Sequence, residues 1–438
     1  MTTRKQQHTF TRRQVLAGGA ALGGLAVGGL ALGGCAGAPA AMGPSIGRVV
    51  VVGGGFGGAT AARYLKLWGG KVEVSLIERN PGFISCPISN LVLGGHRQMA
   101  DISMSYAGLR AAGVNVVQGE VTAIDSTAKK VRTAGGGEHA YDRLIVSPGV
   151  DFMNDQVGGL MTPAAQANVL HAWKAGPQTV ALRQQLQDMR DGGVYALAIP
   201  KVPYRCPPGP YERACMVASY FKTAKPRSKV LVLDANPEIQ SKKALFEKAF
   251  KDHYAGIIEY KPNAELKEVD GANRIAKLDF EDVRADVLNV VPPQRAGDIA
   301  RVAGLVNVNG RWAGVNWLSM ESTAVPFVHV LGDAIFPAAG MPKSGHMANQ
   351  HAKVAAAAII QLLKGEALNA TPVMANTCYS FVTASDVIHV ASVHQYDAAE
   401  KTLKTVPGSG GVSSAASALE GRYGWAWAQN IWADSLAL

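Results

Sequence analysis

Cysteine is scarce in this chain. Of its 438 residues only Cys35, Cys86, Cys206, Cys215 and Cys378 are cysteines, and no two form a C-x-x-C pair. Without C-x-x-C-H the chain carries no c-type haem of its own. The ten histidines show no H-x-x-x-H spacing, so no metal site is expected. Charged residues make up 17% of the chain. No dense Lys/Arg run is interleaved with aromatics, which argues against nucleic acid as a partner. The chain does have apolar residues, at 48%, a globular composition with length for two or three domains. Its net charge of +10 is spread thinly and reads as a solubility feature.

The first 44 residues carry Arg4, Lys5, Arg12 and Arg13 and no acid. A basic region with paired Arg12-Arg13 precedes a Gly/Ala-rich apolar run too rich in glycine for a good membrane span. The pattern resembles a twin-arginine signal, which exports folded proteins, so the expected location is the periplasm. "LGGC", ending at Cys35, also resembles a lipoprotein cleavage box. Cys35 is then either lipidated or cut away with the signal.

"RVVVVGGGFGG" places an apolar β-branched strand before Gly53-x-Gly55-x-x-Gly58, and an Ala-rich helix follows. A second strand ends at Glu78, twenty residues after Gly58. Glycines allow a tight turn and close approach of a pyrophosphate to the helix N-terminus, and Glu78 is placed for the ribose hydroxyls. "YDRLIVSPGV" (141–150) and "VPFVHVLGDAI" (326–335) resemble the later signatures of two-dinucleotide flavoproteins. Asp333 would bind a flavin hydroxyl, and the helix after "MPKSGHMAN", which includes Lys343, would point its N-terminus at the flavin. FAD is therefore the expected cofactor.

A second strand–loop–helix–strand unit spans 193–239, but its loop "PKVPYRCPPGP" holds five prolines and one glycine. Proline has no N–H for a phosphate, so NAD(P)H is not the expected donor. Cys206 lies in this loop just before a helix, where the dipole favours a thiolate. Glu212, in the first helical turn, is placed as a proton acceptor or an opposing charge; Cys215 reads as core. Cys378 begins the first strand of a C-terminal segment, 172 residues from Cys206. The two cysteines are either a redox pair beside the flavin or a staple between domains.

The expected fold class is α/β, with two Rossmann-like dinucleotide-binding-type domains, one FAD-binding and one degenerate, plus a C-terminal α+β domain. The expected boundaries are 1–44 for the signal, 46–158 with 296–368 for the FAD-binding domain, 159–295 for the degenerate domain and 369–438 for the C-terminal domain.

"HAWKAGPQTVALRQQLQDM", "RCPPGPYER", "VVPPQRAG", "MPKSG" and "NTCYS" resemble the flavoprotein subunit of flavocytochrome c sulfide dehydrogenase. The resemblance implies a catalytic disulfide between Cys206 and Cys378, with Glu212 and Trp427 near the flavin. It also implies FAD bound covalently through Cys86 in "FISCPISN", although Pro87 stands where the family usually has Tyr. The implied reaction is attack of hydrosulfide on the disulfide, with electrons passing to FAD and then to a separate c-type cytochrome subunit. Sulfide:quinone oxidoreductase shares fold and cysteine pair and needs a membrane-facing C-terminus; residues 412–438 lack a clean apolar face. A third alternative is a non-catalytic flavoprotein partner of an exported cytochrome.

Overall fold

The apolar run at residues 49–52 becomes a fully enclosed strand in the computed structural model, which describes residues 44–438. The segment expected to be a twin-arginine signal, with Cys35, lies outside the described residues. From the N-terminal side come β1 (Gly47–Val52), α1 (Phe56–Gly69), β2 (Val72–Glu78), β3 (Asn115–Gln118) and β4 (Arg143–Val146). Next are β5 (Val194–Ile199), α2 (Gly209–Ala224), β6 (Lys229–Asp234), α3 (Lys243–Tyr254), β7 (Ile258–Lys261) and β8 (Val287–Val290). The chain then returns through β9 (Val328–Val330) and α4 (Gly345–Lys364). It finishes with β10 (Val373–Phe381), β11 (Val387–Asp397), β12 (Thr402–Thr405) and α5 (Ala418–Leu436).

Strands β9, β4, β1, β2 and β3 lie side by side, all parallel, with two short antiparallel strands (Val315–Asn316 and Glu321–Ser322) at one edge. Parallel strands covered on both faces must be apolar throughout, which is why Val49, Val50, Val51 and Val52 are all buried. Each such side chain contributes roughly 1.5–3 kcal/mol by leaving water. Alanines keep α1 thin enough to lie against α4. β9 enters this sheet from about 180 residues downstream of β4, so the nucleotide-binding fold is closed by two distant segments.

Between those segments, β7-β6-β5-β8 form a second all-parallel sheet. The last strands form an antiparallel sheet, β10-β11-β12, with Gly411–Val412 also pairing with β11. The structure thus has the mixed α/β, Rossmann-like character expected. Cys378, however, does not begin a strand. It sits inside β10, opposite Val390 of β11, because the alternating pattern already starts at Val373.

The Trp-rich tail forms α5, capped by the Ser417 hydroxyl, which accepts the Glu420 amide. Its end is tied down. Arg63 donates to the carbonyls of Ala433 (2.7 Å) and Asp434 (2.6 Å), Tyr64 donates to Asp434 Oδ1 at 2.6 Å, and Lys353 pairs with Asp434 at 2.8 Å. Among the described residues no helix is long and apolar enough to cross a membrane.

Candidate active site

A cavity of about 740 Å³ opens at the carboxyl ends of the parallel strands, where open α/β sheets bind ligands. The β1–α1 loop forms one wall, and its glycines serve three different needs. Gly53 has φ +96°, and a Cβ there would meet Ser147 O at 2.4 Å; at Gly58 it would meet Gly53 O at 1.8 Å. At Gly55 a Cβ would meet nothing within 4 Å, because this glycine borders the cavity itself. Glu78 also lines the cavity, with Oε2 accepting the Gly54 amide at 2.6 Å and Oε1 accepting Asn80.

Across the cavity, Asp333 follows β9. Burial pushes its carboxyl above the ordinary value, opposed by Arg205 and Lys343. Its Oδ1 is buried without a hydrogen-bond partner. A buried carboxylate oxygen without a donor is costly, so this atom fits a flavin hydroxyl. The bare face at Gly55 likewise fits a pyrophosphate. Together they make the site compatible with FAD.

Lys343 does not line the cavity, contrary to the expectation of a cofactor contact. Its ammonium turns behind the Asp333 segment, donating to the Asp333 carbonyl (2.9 Å) and the Ile335 carbonyl, 3.7 Å from the centre of the Trp312 ring. Burial lowers its pKa to about 7. It braces the loop that presents Asp333. Ser344, the N-cap of α4, and His346 do face the cavity.

Both Cys206 and Cys378 line this same cavity, together with Cys86, Glu212 and Trp427. The prolines and the left-handed Cys206 (φ +58°) shape a turn in which the Cys206 carbonyl accepts the Gly209 amide. This turn brings Cys206 Sγ to within 2.9 Å of where a Gly209 Cβ would stand. Cys215, by contrast, is fully buried in α2.

Three segments match family models. Residues 179–292 match sulfide dehydrogenase (flavocytochrome c) flavoprotein chain, central. Residues 370–436 match flavocytochrome c sulphide dehydrogenase, flavin-binding. Residues 47–192 match pyridine nucleotide-disulphide oxidoreductase. Each model matches only part of the chain, whose segments are thus similar to these flavoprotein families.

Among curated relatives, mitochondrial sulfide:quinone oxidoreductase of Mus musculus is 25% identical over 313 residues. That match spans 65% of this chain and 65% of the mouse protein, a little under two thirds of the relative. The sulfide dehydrogenase (flavocytochrome c) flavoprotein chain of Chlorobaculum thiosulfatiphilum is 53% identical over 45 residues, 10% of this chain and 94% of that sequence. The solved structure of sulfide:quinone oxidoreductase from Aquifex aeolicus superposes with a TM-score of 0.72 at 19% identity, covering 89% of this chain and 91% of that one; it shows the shared fold.

The environment of Cys206 differs from the expectation. Burial, with Cys378 and Glu212 nearby, pushes its thiol up to about 12. This direction is opposite to the lowering expected from the helix dipole. Glu212 is itself pushed up by burial, against hydrogen bonds from the Phe381 amide (2.8 Å) and Asn90 Nδ2 (2.8 Å). Cys86 accepts the Ala175 amide at 3.5 Å. Trp427 lies 5.9 Å from His346 and 6.0 Å from Tyr379, ring centre to ring centre.

Two cations escaped sequence reasoning. Arg205 lines the cavity and lies beside Cys86, Asp333 and Cys206; burial opposes its charge, but these neighbours outweigh it and its pKa is raised. Its position next to Cys206 in "YRCPPGP" was the available signal. Lys242, the N-cap residue of α3, donates to the backbone carbonyl of Cys378 at 3.2 Å, and nothing local in "QSKKALF" marks it. The second Rossmann unit carries a further surprise at Asp234, the end of β6, where a nucleotide-binding acid would stand. Its carboxylate already accepts Tyr211 (2.6 Å), Tyr260 (3.0 Å) and the Asn236 amide (2.9 Å).

Proposed function

We propose that this protein is an FAD-dependent sulfide dehydrogenase flavoprotein that takes electrons from hydrosulfide and passes them to a separate c-type cytochrome subunit. The observation that carries this reading is the meeting of Cys206 and Cys378 in the cavity that also holds the nucleotide loop and the unpartnered Asp333. Hydrosulfide attacks the Cys206–Cys378 disulfide: a new S–S bond forms to one cysteine, the old one breaks, and its electron pair leaves on the other as a thiolate. Glu212, whose pKa burial raises, lies beside the pair and is the group that exchanges the proton. FAD, when bound, supplies the two-electron acceptor; Gly53, Gly55, Gly58, Glu78 and Asp333 hold it, and Cys86 anchors it covalently. Sulfane sulfur is the product.

Prolines in the 200–210 loop and the fully engaged Asp234 support a reaction without NAD(P)H. The central and flavin-binding family matches favour a cytochrome acceptor, as does the tying of α5 to Arg63, Tyr64 and Lys353. We further assign the four expected segments as domains and the periplasm, by the twin-arginine route, as the location. A second reading, transfer to membrane quinone, is favoured by the 25% identity to the mouse enzyme over 313 residues. Protein reduced anaerobically by sulfide is mixed with cytochrome c or with a soluble quinone, and flavin reoxidation is timed. Faster reoxidation by cytochrome c supports the first reading, and faster reoxidation by quinone replaces it with the second.

A further inference from the structure

Lys242 is only 7% exposed, a burial that a lysine tolerates poorly unless paired. Its ammonium donates to the Ser380 hydroxyl (2.7 Å), the Cys378 carbonyl (3.2 Å) and the Ile388 carbonyl (3.4 Å). Two carbonyls and a hydroxyl satisfy all three N–H groups, but none of them carries a countercharge. The ionisable groups that face it are Cys378 of β10, Glu212 of α2, Cys206 of the proline loop and Glu420 of α5. Glu420 is already engaged, accepting the Ser413 hydroxyl at 2.6 Å and lying 2.9 Å from His389 Nδ1. Glu212 is spent on Phe381 and Asn90. The cysteine pair is therefore the place where a negative charge would complete this cation.

We propose that Lys242 is a positioning residue of the cysteine pair, holding the Cys378 segment and supplying the positive charge that stabilises the Cys378 thiolate when the disulfide opens. This rests on the redox reading of Cys206 and Cys378 given above. A stabilised thiolate makes the reduced pair more favourable, so the disulfide is more readily opened by a sulfur nucleophile. Burial lowers the Lys242 pKa to about 8 and raises that of Cys378, and Lys242 is the largest influence opposing the latter.

The test equilibrates the holoprotein anaerobically with glutathione buffers. For each pair reduced, two glutathione thiols become one glutathione disulfide. Thiols are trapped with iodoacetamide and Cys206 and Cys378 read by mass spectrometry. Lys242→Met is predicted to lower the reduction equilibrium constant about tenfold, the equivalent of one pKa unit. Lys242→Arg restores most of it. Ser380→Ala, which removes a hydrogen bond but keeps the charge, stays near wild type. Equal constants for wild type and Lys242→Met overturn the proposal, as does a Ser380→Ala effect as large as that of Lys242→Met.

A measurement on the wild type alone guards against a variant that does not fold. In the dithiol, alkylation of Cys378 should rise at lower pH than that of Cys206, and the reverse order overturns the proposal. A wild-type pair that forms no disulfide at any glutathione ratio removes the redox reading itself, and this inference with it.

Discussion

The Glu212 carboxylate accepts the Phe381 amide at 2.8 Å, joining two residues 169 positions apart. One buried acid thereby holds the first turn of α2 against the strand that carries Cys378, while its other oxygen accepts Asn90. Glu212→Ala leaves two buried donors without an acceptor, each worth about 1–3 kcal/mol. Urea unfolding should show a loss of that order, and Glu212→Gln, which keeps an acceptor for Phe381, a smaller one.

Stability against pH follows from the same residue. Its pKa is raised in the folded state above the ordinary 4.5, so the folded protein binds this proton more tightly than the unfolded chain. That contribution is fully present below about 4.5 and is lost as pH rises through the folded value. Wild type should therefore lose stability relative to Glu212→Gln on going from acid toward neutral pH. A difference that stays constant across this range would show that Glu212 is not the titrating group.

The nucleotide loop separates folding from binding. A Cβ at Gly58 lands 1.8 Å from Gly53 O, whereas one at Gly55 meets open space in the cavity. Gly58→Ala should cost at least about 1–3 kcal/mol of stability, typical of overpacking. In a Cys86→Ser background, Gly55→Ala should unfold like its parent yet retain less flavin after gel filtration.

Asp333 carries the buried oxygen that has no partner. If a flavin hydroxyl fills that role, Asp333→Ala loses a hydrogen bond to a charged group and noncovalent flavin affinity falls roughly ten- to hundredfold. Flavin titration of apoprotein in a Cys86→Ser background measures this without a covalent link. The link has its own readout: wild-type protein should fluoresce as flavin on a denaturing gel, and Cys86→Ser protein should not.

Much of the first nucleotide site is legible locally. Strand, three glycines, helix and terminal Glu78 follow one another within 32 residues, so spacing alone reports the geometry. The proline-rich loop is equally plain, because proline offers no N–H to a phosphate. What is hidden depends on three-dimensional neighbours. Lys242 acquires meaning only when α3 is placed against β10, and Asp234 is disarmed by tyrosines at 211 and 260. Lys343 sits in a motif that suggests a cofactor contact, yet its side chain finds backbone carbonyls behind the loop. The position of Cys206 before α2 shows in the sequence, but the burial that raises its pKa does not.

The most direct measurement is anaerobic addition of sulfide to the purified protein, with the flavin spectrum followed in wild type, Cys206→Ser, Cys378→Ser and Cys215→Ser. Rapid bleaching in wild type and Cys215→Ser, with none in the other two, is the predicted result. If sulfide leaves the wild-type flavin oxidised, or if Cys206→Ser bleaches as fast as wild type, the cysteine pair is a structural feature and not the route of the electrons.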